Sequence, residues 1–118
     1  MSPDSLLAVV DRFSAAFDTQ DVDRIMATMT PDCVFESTAP PDGQRHVGQR
    51  AVRAALSEFF QQTAGAQFHT EDRFGSQDRV VVLWRYDWGG ADPGHVRGVD
   101  VFRVRDDLVW QKASYVKG

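Results

Sequence analysis

Gly98-Val99-Asp100-Val101-Phe102-Arg103-Val104 reads as a β-strand, because β-branched and aromatic residues dominate it and period-two alternation puts Gly98, Asp100, Phe102 and Val104 on one face. The predicted strand extends over residues 95–105, and the chain on either side has the same composition. Strands are also expected over residues 66–74, 79–88 and 108–116. They are joined by Gly75-Ser76-Gln77-Asp78, by Gly89-Gly90-Ala91-Asp92-Pro93-Gly94 and by a tight turn at Asp106-Asp107. Everything beyond Gly65 is therefore expected to be a β-meander.

Upstream the period changes. Ser2, Pro3 and Asp4 read as an N-cap, a first-turn proline and an early acid, and Leu6, Val10, Phe13 and Phe17 recur on one helical face as far as Asp18. Asp21 can cap a shorter helix carrying Val22, Ile25, Met26 and Met29, which Thr30-Pro31 should stop. Cys33-Val34-Phe35-Glu36-Ser37 reads as a short strand closed by the breaker-rich Ala39-Pro40-Pro41-Asp42-Gly43. Between Gly48 and Thr63, Val52, Ala55, Leu56, Phe59 and Phe60 again keep helical spacing. Helices first and antiparallel strands last predict an α+β domain, residues 1–118, in which three helices pack on the concave face of a curved sheet and enclose a pocket.

The totals exclude several classes. The 118 residues suit one domain; 42% hydrophobic and 25% charged residues match a globular protein. The net charge of -4, with basic and acidic residues interspersed, lacks the footprint of a nucleic-acid binder. No segment approaches a membrane span, and Met1-Ser2-Pro3-Asp4-Ser5-Leu6 lacks a basic signal n-region, so a cytoplasmic location without membrane partners is expected. Cys33 is expected to be a core residue, and His46, His69 and His95 are scattered, so no metal site is expected. No glycine-rich phosphate loop calls for a cofactor.

The element order, together with Gly98–Val104 and the closing Ala113-Ser114-Tyr115-Val116, resembles the SnoaL-like polyketide cyclases of the nuclear transport factor 2-like superfamily across essentially the whole chain. Asp32 to Glu36 followed by Gly48 opening a helix is also similar to ketosteroid isomerase and limonene epoxide hydrolase, which share the cone-shaped fold. Each resemblance implies a different site. Against ketosteroid isomerase, Asp100 falls on the oxyanion-hole aspartate, but Ser37 and Phe13 stand where that family has its general base and its tyrosine. Against limonene epoxide hydrolase, Arg85 and Asp87 resemble its Arg-x-Asp strand, but Ser114, Phe35 and Ser37 replace its second aspartate, its tyrosine and its asparagine. Against the cyclases, the aspartate used for acid–base proton transfer matches Asp100, with no missing partner.

The candidate catalytic set is therefore Asp100, Lys112, Arg85 and Asp87, and the candidate ligand-binding set is Phe13, Phe35, Ser37, Phe59, His69, Phe102 and Tyr115. A simple turn at Asp106-Asp107 would oppose Asp100 to Ala113 and turn Lys112 outward. One bulged residue in that turn would bring Lys112 opposite Asp100 on the inner face, with its ammonium within about 4 Å of the carboxylate, and this arrangement is expected. In the strand 79–88, the epoxide hydrolase resemblance implies that Arg85 and Asp87 look into the cavity, leaving Trp84, Tyr86 and Trp88 as an outer patch suited to a homodimer. Without that resemblance the tryptophans line the pocket. Tyr115 either reaches into the cavity or anchors the last strand, and Glu36 should be a solvated edge residue.

Two functions follow. One is a cofactor-free enzyme, an isomerase or cyclase, moving a proton on a small, mostly apolar ligand, with epoxide hydrolysis as a variant. The other is a non-catalytic module that binds a hydrophobic or amphipathic molecule or dimerises.

Overall fold

A computed structural model describes residues 2–118. Helix α1 (Pro3–Asp18) begins where Ser2 Oγ accepts the Ser5 amide at 3.1 Å, and it buries Leu6, Val9, Val10 and Phe13. Helix α2 (Val22–Met26) is capped by Asp21, whose carboxylate accepts the Asp23 and Arg24 amides. It is shorter than its sequence pattern predicts, and Met29 opens strand β1 (Met29–Glu36) instead of closing the helix. Tertiary pairing explains the difference, since the Thr28 carbonyl accepts the Val109 amide at 2.9 Å and draws the chain into the sheet. Pro31 lies in an irregular part of β1, between the paired positions Met29 and Val34, so its missing N–H costs no regular ladder bond.

Strand β2 (Arg45–Val47), which the sequence did not announce, folds back antiparallel on the end of β1. Helix α3 (Gln49–Gln62) follows Gly48, whose φ of 90° is a conformation that glycine adopts readily. The Gln49 amide donates to the carbonyls of Met26, Met29 and Thr30 at 3.1, 3.2 and 3.0 Å, clasping the start of α3 to the exit of α2. Strands β3 (Gln67–Ser76), β4 (Arg79–Trp88), β5 (Gly94–Arg105) and β6 (Leu108–Val116) form the meander.

The six strands lie in the order β2-β1-β6-β5-β4-β3. All neighbours are antiparallel except β1 and β6, which run parallel. The helices cover the concave face, where Phe13 of α1 meets Phe102 of β5 edge-on at 5.2 Å, amid Val52 and Leu56 of α3 and Val80 and Val82 of β4. Burying each such side chain contributes about 1.5–3 kcal/mol, so this seam fixes the helices over the sheet. No helix among the described residues is long and apolar enough to cross a membrane.

The β5–β6 turn sets the register that matters most. Asp106 and Asp107 both have positive φ, 56° and 60°, the geometry of a two-residue turn whose twist suits a hairpin. The bulge expected in that turn lies instead within β6: Val104 pairs with Val109 but Arg103 pairs with Gln111, so Trp110 is the extra residue. The Arg103 and Arg105 guanidinium groups sit 4.6 and 5.3 Å from the centre of its ring.

Candidate functional site

The Trp110 bulge turns Lys112 and Ser114 to the concave face, opposite Phe102 and Asp100 respectively. Lys112 is thus one rung away from Asp100, not directly across from it. Its Nζ still lies 3.5 Å from Asp100 Oδ2 and donates to Ser114 Oγ at 3.0 Å. The ammonium is also 4.8 Å from the centre of the Phe35 ring and 5.4 Å from that of Phe17, a cation held against aromatic faces. Both charged residues are buried, with 9% of Asp100 and 8% of Lys112 exposed. Asp100 Oδ1 is shut off from solvent and has no hydrogen-bond partner among the described residues.

This pair stands in the wall of a cavity of about 440 Å³ between the helices and the sheet, a volume in the range that takes a small organic ligand. Phe13 and Phe17 of α1, Phe35 of β1, Phe59 of α3, Phe68 of β3 and Phe102 of β5 form its aromatic sleeve. Ser37, just past β1, also lines it, but its Oγ accepts the Ala39 and Gln44 amides and so shapes the loop. Seven of the expected residues therefore meet around one space: Asp100, Lys112, Phe13, Phe35, Ser37, Phe59 and Phe102.

Four do not line this cavity. Val82 pairs with Asp100 and Trp84 with Gly98, so alternation along β4 puts Val82, Trp84 and Tyr86 inside and Arg85 and Asp87 on the outer face. There Arg85 Nε bonds both Asp87 oxygens at 3.0 and 3.2 Å. The reason is hydrophobic: Val80, Val82 and Trp84 are the buried residues of β4 and share one face, and the Trp84 ring fills the space over Gly98, where a Cβ would stand 2.4 Å from it. His69 pairs with Arg85, and its Nε2 lies 3.5 Å from Asp87, again on the outer face. Tyr115 follows Ser114 outward and is 59% exposed. The aromatic patch expected to carry a homodimer contact is thus largely inside the molecule, and the outer face carries ion pairs around Phe74 and Tyr115 instead.

Trp84 lines the cavity, as the sequence offered for the case in which the epoxide hydrolase resemblance fails, whereas Tyr86, Phe17 and Phe68 were missed as lining residues, and so was Asp18 at the end of α1. Burial raises the Asp18 carboxyl, with the nearby His69 pulling the other way, and burial likewise raises the Tyr86 phenol. The available signal was alternation, since Val80, Val82, Trp84, Tyr86 and Trp88 form one apolar face of β4. Glu36 faces outward, near Arg45 and Gln111, and Cys33 is fully buried, with burial pushing its thiol up. Among the described residues no three His, Cys, Asp or Glu side chains are grouped to hold a metal.

The model of the SnoaL-like domain matches residues 10–112, nearly the whole chain and every cavity element except the last residues of β6. The chain belongs to the SnoaL-like family. Its nuclear transport factor 2-like fold is shared by a protein of unknown function from Mesorhizobium loti, 35% identical, with a TM-score of 0.84 over 98% of this chain and 93% of that one. Two more distant structures show the same fold. TerC, co-crystallised with polyporic acid, is 16% identical with a TM-score of 0.81 over 96% of this chain and 92% of its own. An epoxide hydrolase of the limonene epoxide hydrolase-like type from Mycobacterium tuberculosis is 18% identical with a TM-score of 0.79 over 98% of this SnoaL-like chain and 84% of its own. A search of curated protein sequences returns no significant match.

Proposed function

We propose that this SnoaL-like protein is a cofactor-free acid–base enzyme, an isomerase or cyclase, that moves a proton on a small, uncharged, mostly apolar ligand. The observation that carries the reading is Asp100, a carboxylate buried in an aromatic cavity beside Lys112. Asp100 Oδ2 takes a proton from an acidic carbon of the ligand. The C–H bond breaks, its electron pair passes into the adjoining carbonyl as an enolate, and Asp100 returns the proton to another carbon or to oxygen. As negative charge passes from Asp100 to the ligand, Lys112 remains alongside to stabilise it, an effect that the weakly polarisable aromatic wall strengthens. Arg85 and Asp87, bonded to each other on the far side of the sheet, take no part, so an epoxide opening that uses them is not proposed.

The test is solvent-deuterium incorporation beside the carbonyl of α-tetralone, an uncharged fused-ring ketone, followed by magnetic resonance in heavy water. The wild-type protein should accelerate exchange over buffer, and Asp100→Asn should remove about a hundredfold or more of that acceleration. Exchange at the wild-type rate in Asp100→Asn would leave the cavity as a plain binding site.

A further inference from the structure

Ser114 stands directly across from Asp100 in the β5–β6 pairing, and the acid–base step makes no use of it. It lines the cavity and, unlike Asp100 and Lys112, keeps part of its surface open. Its Oγ accepts the Lys112 ammonium at 3.0 Å. A hydroxyl also carries a donor of its own, free to rotate towards an acceptor. Among the described residues nothing takes that hydrogen: the bond from Lys112 is the only one at the Ser114 side chain, and the Asp100 carboxylate opposite receives none from it. A hydroxyl that accepts from an ammonium is polarised by it and donates more strongly in turn. Lys112, with its side chain 10% exposed and set against the Phe17 and Phe35 rings, thus passes part of its charge to a neighbour with open surface.

We infer that Ser114 is a ligand-binding residue whose Oγ–H, polarised by Lys112, docks the carbonyl oxygen of an uncharged ligand and presents the adjoining acidic carbon to Asp100. The second half of this statement rests on the acid–base reading; the docking half does not. Directly opposed residues of an antiparallel pair have Cβ atoms about 4.5–5.5 Å apart, a spacing at which two short side chains reach adjoining atoms of one molecule. A neutral donor suits a ketone or quinone oxygen in the ground state and binds it more strongly as enolate charge develops there. The cavity charges favour an uncharged ligand. Lys112 and Asp100 offset each other, while Asp18 and Glu58 add two further acids to the lining, so a carboxylate ligand would enter against net negative charge.

The test is a titration with α-tetralone carrying carbon-13 at its carbonyl, set against tetralin, which has the same fused rings and no oxygen. A hydrogen bond to the oxygen draws electrons from the carbonyl and moves its carbon resonance downfield. Bound to the wild-type protein, that resonance should lie further downfield than when bound to Ser114→Ala. The wild type should also prefer the ketone over tetralin about three- to tenfold more than Ser114→Ala does. A carbonyl resonance at one position in both proteins, an equal preference, or no binding of either compound would overturn the inference. Docking that Ser114→Ala weakens, in a protein that exchanges no deuterium, would sink the acid–base reading and leave Ser114 in its role. Exchange that Asp100→Asn abolishes, with the carbonyl resonance unmoved in Ser114→Ala, would do the reverse.

Discussion

On the outer face of the sheet, Arg85, Arg97 and Arg103 each meet a carboxylate, Asp87, Glu71 and Asp78, with every one of these side chains about a third to a half exposed. On the inner face, Lys112 and Asp100 meet with side chains only 10% and 13% exposed, and one Asp100 oxygen is left without a partner. Alternation along β5 turns Arg97 and Arg103 outward and Asp100 inward, and the Trp110 bulge brings Lys112 in beside it. Outside, water screens each pair, so the pairs are worth little. Inside, the charges have left water with the hydrogen-bonding of Asp100 incompletely met, a cost to stability that the proposed acid–base role would account for.

The contrast can be broken first by removing one charge from each face. Lys112→Ala should destabilise the fold by about 3 kcal/mol in denaturant titration, because it strands the Asp100 carboxylate in an aromatic cavity, whereas Arg85→Ala should cost about 0–1 kcal/mol. Equal costs would dissolve the distinction. A smaller effect is expected from Gly98→Ala, about 1–3 kcal/mol by overpacking, since the new methyl meets both the Trp84 ring and the Tyr115 carbonyl. Thermal unfolding measures it, and a lower cost in the double variant Gly98→Ala/Trp84→Phe would show that the indole is part of the obstruction.

The smallest effect belongs to an exposed pair at the edge. Arg73 bonds Asp11 across from β3 to α1 at 2.7 and 2.8 Å and holds that carboxyl below the usual range. A depressed folded-state pKa contributes stability above the unfolded value and loses it as pH falls through the folded one. Asp11→Asn should therefore cost under about 1 kcal/mol near neutral pH, screened further by salt, and nothing once acid has protonated both states. An Asp11→Asn cost that grows on acidification would reverse this sign.

The meander, α1 and α3 were legible in the sequence because their periods are long, with the Ser2 cap before Pro3 opening α1 and glycines at the breaks. Strand β2 was not, being three residues long with only His46 half-buried. The end of α2 was not, because pairing of Thr28 with β6 overrode the local pattern. At the site, alternation from Phe102 pointed Asp100 inward, and one extra residue before Lys112 brought the lysine in. The place of that residue was hidden, since Trp110 bulges against two arginines that only the folded sheet assembles. Arg85 and Asp87 misled because the Arg-x-Asp resemblance outweighed the alternation of β4, in which Val80, Val82, Trp84, Tyr86 and Trp88 make one apolar face and Arg79, Arg85 and Asp87 fall on the other.

The most direct measurement sets the two faces side by side: deuterium exchange into α-tetralone by Asp100→Asn and by Asp87→Asn, each confirmed folded. The account predicts that Asp100→Asn loses about a hundredfold or more while Asp87→Asn stays within a few-fold of the wild type. Loss in Asp87→Asn with Asp100→Asn still active would contradict it and place the chemistry on the outer face.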